Sequence, residues 1–294
     1  MEIRVLEYFL AVVQEGNITK AAEALSITQP TLSRQLRALE NELEVKLFIR
    51  GGNKKIALTD EGLLLKRRAE EIIELNNKTY HEVKKGDDDL EGTIAIGAAE
   101  SFSAEIIADV INYFRINYPE VKFDIFSNNA SSVSEKLDKG LLDFGILIEP
   151  TDLLKYNWLR LKAVEKWGVL MLKDSPLASK DYVTYDDIIN LPLLCSKQLV
   201  DGELDTWFKE SSHKLNIIAT YNLINNGAML VKKGVGYAIT IEGAGEIENH
   251  KELIFKPFAP LKTSTSVLVW KKQPLNCKCA DKFIEVVKML LEHN

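Results

Sequence analysis

The sequence predicts a multidomain protein in which an α-rich N-terminal module and a long helix precede an α/β region. Its 294 residues exceed one average domain, and a hydrophobic content of 46% can fill more than one core. Apolar residues recur at helical spacing near the N-terminus, whereas strand-like alternation and helical spacing take turns after residue 92. The two ends of the chain therefore belong to different fold classes.

Composition argues against a membrane or exported protein. No apolar run reaches the roughly 18 residues that cross a bilayer, and the acidic residues in the first amphipathic segment are unlike a signal peptide. We therefore expect no membrane partner and a cytoplasmic location. The net charge of -6 disfavours sequence-blind attraction to nucleic acid, so any contact with DNA has to rely on local basic residues.

Cysteine and histidine usage predicts neither a metal site nor a catalytic centre. Cys195, Cys277 and Cys279 are an odd number in a long chain, so we expect reduced thiols rather than a disulfide framework. Cys277 and Cys279 with the distant His293 form a poor zinc signature. The sequence has no G-x-S-x-G motif and no phosphate-binding loop. We expect no metal, no cofactor and no enzymatic activity.

The N-terminal segment predicts two short helices. Apolar residues from Val5 onward recur at helical spacing, and the first helix ends near Gly16. Asn17 or Thr19 can cap a second helix. Small residues such as Ala21 on the second helix allow it to pack closely against its neighbour.

A third helix begins after Thr28, which can cap it, and it tolerates Pro30 because amides of the first turn lack intrahelical acceptors. Leu32, Leu36 and Leu39 form its buried stripe. Its outer side carries small, hydrogen-bonding and cationic side chains: Gln29, Thr31, Ser33, Arg34, Arg37 and Ala38.

This composition suits the surface of a DNA duplex. A helix in the major groove needs hydrogen-bonding side chains near its N-terminus for base edges, with hydroxyls and cations for phosphates. Arg34 could contact guanine, and Gln29 and Thr31 could contact bases or phosphate. From spacing alone, a solvated face on a small helical bundle is the alternative.

Residues 49–58 predict strand, turn and strand, with Gly51, Gly52 and Asn53 suited to the turn. Arg50, Lys54 and Lys55 make the tip of this hairpin cationic. Such a wing would contact phosphates or the minor groove beside the third helix.

Residues 60–85 are rich in helix-forming side chains and predict one long helix. Apolar and small residues alternate at spacings of four and three, as in the seam of a two-helix coiled coil with a second copy. The proposed seam comprises Leu65, Ala69, Ile72, Asn76, Thr79 and Val83. A helix lying on its own domain is the alternative, and residues 86–89 then break the helix as a hinge.

The C-terminal region alternates strands and helices, which predicts an α/β domain built on parallel sheets. Ligands of such sheets bind beyond the carboxyl ends of the strands. Polar residues simply ending strands are the alternative to a site for a small polar ligand. The candidate effector-binding residues are Glu100, Ser101, Ser127, Asn128, Asn129, Ser196, Lys197, Gln198, Tyr221 and Asn222.

The run ITKAAEALSITQPTLSRQLRALENELEVKLFIR, followed by IALTDEG, resembles the DNA-binding domain of LysR-type regulators. The resemblance implies a winged helix-turn-helix with the third helix as recognition helix. One departure is a slightly longer wing tip, where lysines stand in place of the usual arginines. The implied DNA contacts are Gln29, Pro30, Thr31, Ser33, Arg34, Arg37, Arg50, Lys54 and Lys55.

The C-terminal region resembles the sensor domain of the same family, itself similar to type 2 periplasmic binding proteins, through GTIAIGAAES, FRINYPEV, GLLDFGIL, DSPLA and NNGAMLVKKGVGYAI. The resemblance implies two subdomains with an effector cleft between them, and Ser101 at a position that commonly holds an effector carboxylate. The expected limits are 1–59 for the DNA-binding domain, 60–86 for the dimerisation helix, 87–91 for the hinge and 92–294 for the effector domain. Within the effector domain, subdomain I comprises 92–162 with 267–294, and subdomain II comprises 163–266.

The expected function is that of a sequence-specific transcriptional regulator that responds to a small-molecule effector. Its expected partners are promoter DNA, the effector, RNA polymerase and further copies of itself, as a homodimer through the long helix or a homotetramer. A constitutive repressor with a vestigial cleft is one alternative. A solute-binding protein is another, but that role needs export and leaves the N-terminal domain without a use.

Overall fold

The computed structural model describes residues 1–50, 56–84, 90–99, 101–204, 207, 214–244, 251–272 and 278–293. Lys54, Lys55 and Glu100 lie outside these residues, as does the side chain of Arg50. The chain divides into two compact units, Met1–Gly86 and Asp87–Asn294. Each has its own hydrophobic core.

The N-terminal unit is a three-helix module with a hairpin and a long helix, as the sequence predicts. Its core comes from all three short helices and from Leu47 and Ala69. The elements are α1 (Ile3–Glu15), α2 (Ile18–Ala24), α3 (Gln29–Glu42), β1 (Phe48–Arg50), β2 (Ile56–Leu58) and α4 (Asp60–Lys84).

Local signals define the helix ends in this unit. Gly16 ends α1 with a left-handed backbone at φ 60°, a conformation that glycine adopts without steric cost. Asn17, rather than Thr19, caps α2 by accepting hydrogen bonds from the amides of Thr19 and Lys20. Thr28 caps α3 by accepting from the amide of Thr31.

A buried acid, Glu40, joins α3 to the hairpin, and the sequence pattern did not identify it. One carboxylate oxygen accepts a hydrogen bond of 2.8 Å from the amide of Leu47, and the other lies 3.7 Å from the Lys46 ammonium. Gly62 then lets α4 approach closely, because a Cβ there would lie 2.2 Å from the Leu47 carbonyl oxygen. These contacts position the hairpin beside the helical core.

The apolar face that α4 leaves exposed differs from the predicted seam. Leu65 and Ala69 pack into the core of the N-terminal unit instead of facing outward. The exposed apolar residues on the adjoining face are Leu64, Ile72 and Leu75. The seam prediction is therefore wrong at its first two positions, because the pattern could not separate burial within the domain from burial against a second helix.

The C-terminal unit is an α/β domain built around one eight-stranded sheet. Its first half comprises β3 (Gly92–Ala98), α5 (Ala104–Asn117), β4 (Val121–Ser127), α6 (Ala130–Asp138), β5 (Phe144–Ile148) and the C-terminal α9 (Lys278–His293). The second half comprises α7 (Tyr185–Ile188), β7 (Leu193–Ser196), β8 (Ile217–Tyr221), α8 (Ile224–Lys232) and β9 (Tyr237–Ile241).

Two long strands, β6 (Tyr156–Leu172) and β10 (Leu253–Lys271), run antiparallel to each other and connect the two halves. The strand order is β4-β3-β5-β10-β6-β9-β7-β8. Pairing is parallel within each half and antiparallel wherever β6 or β10 takes part. The sheet is therefore mixed rather than purely parallel, and the two crossover strands form its centre.

Cys195 and Cys279 are among the residues that the structure describes, whereas Cys277 lies outside them. Cys195 is a free thiol buried in the core of the second half, and burial raises its pKa to about 12. Cys279 is disulfide-bonded, so the expectation of reduced thiols is wrong for this residue.

No described helix is both long and apolar enough to cross a membrane. Among the same residues, no three His, Cys, Asp or Glu side chains are grouped as metal ligands would be.

Candidate nucleic-acid interface and effector cleft

The outer face of α3 presents two free cations. Arg34 and Arg37 are exposed, whereas Leu32 and Leu36 are buried beneath them. Neither arginine has an ion-pair or hydrogen-bond partner among the described residues. Because the helix buries its leucines against α1 and α2, the guanidinium groups are left to solvent, where a phosphate or base edge can approach them.

Hydrogen bonds order the N-terminal turn of α3. The Gln29 amide donates to the Ser33 hydroxyl at 2.8 Å, and the hydroxyls of Thr28 and Thr31 lie 2.8 Å apart. Gln29 and Pro30 are exposed, and Thr31 and Ser33 are half-buried. The structure therefore brings all six predicted contact residues of α3 to one end and one side of the helix.

The hairpin after α3 has the form of a wing. β1 and β2 pair antiparallel with Phe48 opposite Leu58, and the amide of Ile56 donates to the Gly16 carbonyl oxygen at 3.2 Å. These bonds hold the hairpin against the end of α1. The tip and its lysines lie outside the described residues, so contacts of the wing with DNA stay predictions.

A cleft opens between the two halves of the C-terminal unit. The space within it, including the part open to solvent, is about 720 Å³. Its wall is mainly apolar and none of its described residues is charged. The first half and the crossover strand β6 contribute Ala99, Asn129, Ala130, Ile146, Ile148 and Trp167. The second half contributes Ser196, Gln198, Leu199, Tyr221, Asn222, Leu223, Ile224, Ile239, Thr240, Ile241 and Ala244.

Part of the predicted polar set lines this cleft, namely Asn129, Ser196, Gln198, Tyr221 and Asn222. The others do not: Ser127 and Lys197 are exposed elsewhere, Asn128 is half-buried outside the wall, and Ser101 is buried. For Ser127 and Asn128 the reason is their position in the chain. Ser127 and Asn128 precede the turn into α6, and only Asn129 reaches the helix start that borders the cleft.

Three polar side chains of the wall also stabilise the surrounding backbone. Asn129 caps α6 by accepting from the amide of Ser132 at 3.0 Å, and Ser196 accepts from the amide of Leu199 at 3.2 Å. The Tyr221 hydroxyl donates to the carbonyl oxygen of Ile239 at 2.7 Å. Burial raises the pKa of Tyr221, so this hydroxyl stays neutral. The wall is therefore held in shape before any ligand enters.

A buried polar cluster lies at the start of α5. Glu165 of β6 accepts hydrogen bonds from the amide and hydroxyl of Ser103, at 3.4 and 3.3 Å. Burial raises the pKa of Glu165, against the opposing effect of nearby hydroxyl and amide donors. The Ser101 hydroxyl, also buried, has no hydrogen-bond partner of acceptable geometry among the described residues.

Two comparisons with protein families agree with this geometry. The family model described as "Bacterial regulatory helix-turn-helix protein, lysR family" matches residues 3–63, and "LysR substrate binding domain" matches residues 87–291. The chain belongs to the LysR family of transcriptional regulators. The recognition helix lies within the first match and the cleft within the second.

Curated LysR-type relatives cover most of this chain. An uncharacterized HTH-type transcriptional regulator of Bacillus subtilis, YvbU, is 31% identical over 243 residues, 82% of each chain. The Hca operon transcriptional activator HcaR of Escherichia coli is 30% identical over 294 residues, covering 98% of this chain and 97% of HcaR. These relatives support a regulator of transcription, and the family is not one of enzymes.

Solved LysR-type structures share the fold. The crystal structure of CbnR covers 99% of both chains with a TM-score of 0.74 at 18% identity. Full-length CbnR complexed with its target DNA covers 98% of this chain and 99% of that one, with a TM-score of 0.72 at 19% identity. Because these identities are low, the likeness establishes only the architecture of this LysR-type chain.

Sequence reasoning missed the apolar residues that form most of the cleft of this LysR-type chain. Trp167 lines it from β6, only 8% exposed, and donates from its indole nitrogen to the Ser264 hydroxyl at 2.8 Å. Ile146 and Ile148 line the cleft from β5. Their apolar runs predict buried strands, but no sequence signal distinguishes a strand residue that borders a cavity from one in a filled core.

Proposed function

We propose that this LysR-type regulator binds promoter DNA through α3, dimerises through α4, and answers to a small-molecule effector in the cleft of its C-terminal unit. It acts in the cytoplasm, where promoter DNA lies, and it regulates RNA polymerase without catalysing a reaction. The observation that carries this proposal is the outer face of α3, where Arg34 and Arg37 are exposed and have no partner in the part of the chain that the structure describes.

The geometry of α3 supports base recognition rather than general attraction to DNA. Its first two turns combine an amide and hydroxyls with a guanidinium, and each of these groups can contact a base edge or a phosphate. The net charge of -6 repels DNA elsewhere on the molecule, so that affinity has to come from local contacts. A second copy, joined through α4, would place two such helices on successive half-sites and raise affinity through effective concentration.

The cleft supports an effector-responsive regulator over a constitutive repressor. Its wall is mainly apolar with a few convergent polar groups, as in small-molecule sites. It lies between two halves that only the crossover strands connect through the sheet, so a ligand that contacts both halves can favour one arrangement over another. Such a shift would alter the arrangement of subunits in a dimer or tetramer.

A DNA-binding experiment tests the proposal. Arg34→Ala should lower affinity for a fragment of the chain's own promoter by about 10- to 100-fold, because one base contact of this kind contributes about 1–3 kcal/mol. Affinity for a scrambled fragment of equal length should change much less. Both are measured by gel-shift titration at one salt concentration.

Arg115→Ala serves as the matched control, since Arg115 is an exposed arginine of α5 whose guanidinium donates to Asn112. It should leave both affinities unchanged. Equal promoter affinity for the Arg34 variant and the unmodified chain would show that Arg34 does not contact a base edge.

A further inference from the structure

Glu165 lies on the side of β6 that faces the cleft region. It is two residues before Trp167 on a regular stretch of that strand, where Glu165 pairs with Ser264 and Trp167 with Lys262. Side chains two apart in a strand point to the same face. Glu165 therefore shares a face with a residue that lines the cleft, yet its own exposed fraction is 0%.

The carboxyl group of Glu165 fills the start of α5. Ser103 stands at the N-cap of this 14-residue helix, and its side chain makes no capping bond. The Ser103 amide and hydroxyl instead donate to Glu165 Oε1. Free amides and the helix dipole favour a negative group at a helix N-terminus. Here the protein supplies that group from a different element.

Two further donors of the same turn, the Ser101 hydroxyl and the Phe102 amide, approach the Glu165 carboxyl group and lower its pKa. Glu165 Oε2 and the Ser101 hydroxyl are both buried without a hydrogen-bond partner of acceptable geometry among the described residues. Glu165 also makes no ion pair with any described cation. A buried carboxyl group is costly unless donors reach it, and here the donors come from residues 101–103 at the start of α5.

Close packing fixes the start of α5 against the second half of the domain. A Cβ added at Gly243, just after β9, would lie 2.4 Å from the ring of Phe102 and 2.8 Å from its amide nitrogen. Phe102 and Ser103 are consecutive, so this contact and the Glu165 hydrogen bonds act on one turn. The carboxyl group therefore bridges the crossover strand and the first half of the domain at the edge of the cleft.

We propose that Glu165 is a specificity-determining residue of the effector cleft: its carboxyl group occupies the anion-accepting N-terminus of α5 and excludes a ligand carboxylate from that position. This inference rests on the proposed function of the cleft. A ligand carboxylate has to bind elsewhere in the cleft.

Chemical rescue with acetate tests this assignment in the full chain. Glu165→Ala removes the carboxyl group and leaves room for a small carboxylate beside the Ser103 donors. Acetate should then raise the melting temperature of this variant saturably, by about 3 °C near ten times its dissociation constant, relative to chloride at equal ionic strength. The unmodified chain should show no such rise, because its position is already filled.

Three controls make the result specific. Glu242→Ala removes a partly exposed carboxylate that pairs with Lys166 beside the same strand, and acetate should not stabilise it. Glu165→Gln fills the position with an amide and should also be insensitive. Ser103→Ala combined with Glu165→Ala should lose most of the rescue because the hydroxyl donor is gone.

Each outcome decides the proposal. A selective rise in Glu165→Ala alone supports it. An equal rise in the unmodified chain or in Glu165→Gln, or no rise in Glu165→Ala, overturns it. If Glu165→Ala does not fold in chloride, the yield of refolded protein in acetate against chloride replaces the melting temperature, and equal yields overturn the proposal. None of these measurements involves DNA, so failure of promoter binding would be seen separately.

Discussion

At the scale of single residues, a charged cluster at the surface links the two crossover strands β6 and β10. Arg160 of β6 donates two hydrogen bonds to Glu149, at 3.1 and 2.8 Å, and the Thr265 hydroxyl of β10 donates to the same carboxylate. The Arg160 guanidinium and this hydroxyl lower the pKa of Glu149. Arg160 from the following strand and Thr265, which is distant in sequence, thus meet at one carboxylate.

Glu149→Gln should make the chain less stable at neutral pH but not in acid. Because the folded-state pKa of Glu149 lies below the ordinary 4.5, its contribution is present above 4.5 and is lost as the pH falls through the folded value. Arg160 is well solvated, so the melting temperature should fall by only roughly 1–2 °C at pH 7. Thermal melts of both chains from neutral pH down to roughly pH 3, below the ordinary carboxyl pKa, measure the difference.

The matched control is Glu120→Gln, because Glu120 is an exposed glutamate whose side chain has no described partner. Its melting curve should follow that of the unmodified chain at every pH. If the Glu149 variant lost the same stability in acid as at neutral pH, the hydrogen-bonded amide rather than the charge would be responsible.

Residues whose role depends on local chain geometry could be predicted from the sequence, and residues whose role depends on distant pairing could not. Thr28 as a cap, Leu32 as core and Arg34 as an outward cation all follow from helical spacing. Glu165 and Trp167 acquire their surroundings from β10 and α5, and no local pattern carries that information. From sequence alone, both look like ordinary residues of an alternating strand.

At the scale of elements, α4 combines two different faces. Ala69 is fully buried in the core of the N-terminal unit, while Leu64, Ile72 and Leu75 on the adjoining face remain exposed. Exposed aliphatic residues at helical spacing commonly form helix–helix contacts. A second copy of α4 is the partner that the proposed dimer requires.

Leu75→Ser should weaken this dimer. Leu75 is 42% exposed in the single chain, and burying one leucine contributes about 1.5–3 kcal/mol. The dimer dissociation constant should therefore rise at least about tenfold, as measured by sedimentation equilibrium. Leu63→Ser is the control, because Leu63 is equally apolar and exposed but lies on the opposite flank of the helix. A larger effect at Leu63 would assign the interface to that flank.

Element order was predictable, but strand direction at the centre of the sheet was not. The alternation of strands and helices after residue 92 predicts parallel units, and β3, β4 and β5 do pair in parallel. The antiparallel pair β6 and β10 joins segments separated by a whole half-domain. Sequence pattern records which residues alternate, but it does not record which distant strand completes the pairing.

At the scale of the whole molecule, the chain consists of two units that bury separate cores. Met1–Gly86 carries the recognition helix and Asp87–Asn294 carries the cleft. The buried residues of the N-terminal core come from residues 5–69, and those of the other three clusters come from residues 94–287. A unit whose core is built from its own residues is expected to fold when the other unit is removed.

A chain that begins at Asp87 should therefore retain its fold and lose affinity for the promoter fragment. Its far-ultraviolet circular dichroism should show cooperative melting, within a few degrees of the corresponding transition of the full chain, because no core residue of the cleft-bearing unit is removed. The complementary chain 1–86 keeps both α3 and α4, so it should still bind promoter DNA specifically. Non-cooperative melting of the first chain would mean that the cleft depends on the N-terminal unit for its stability, and promoter binding by that chain would place the DNA contact outside α3.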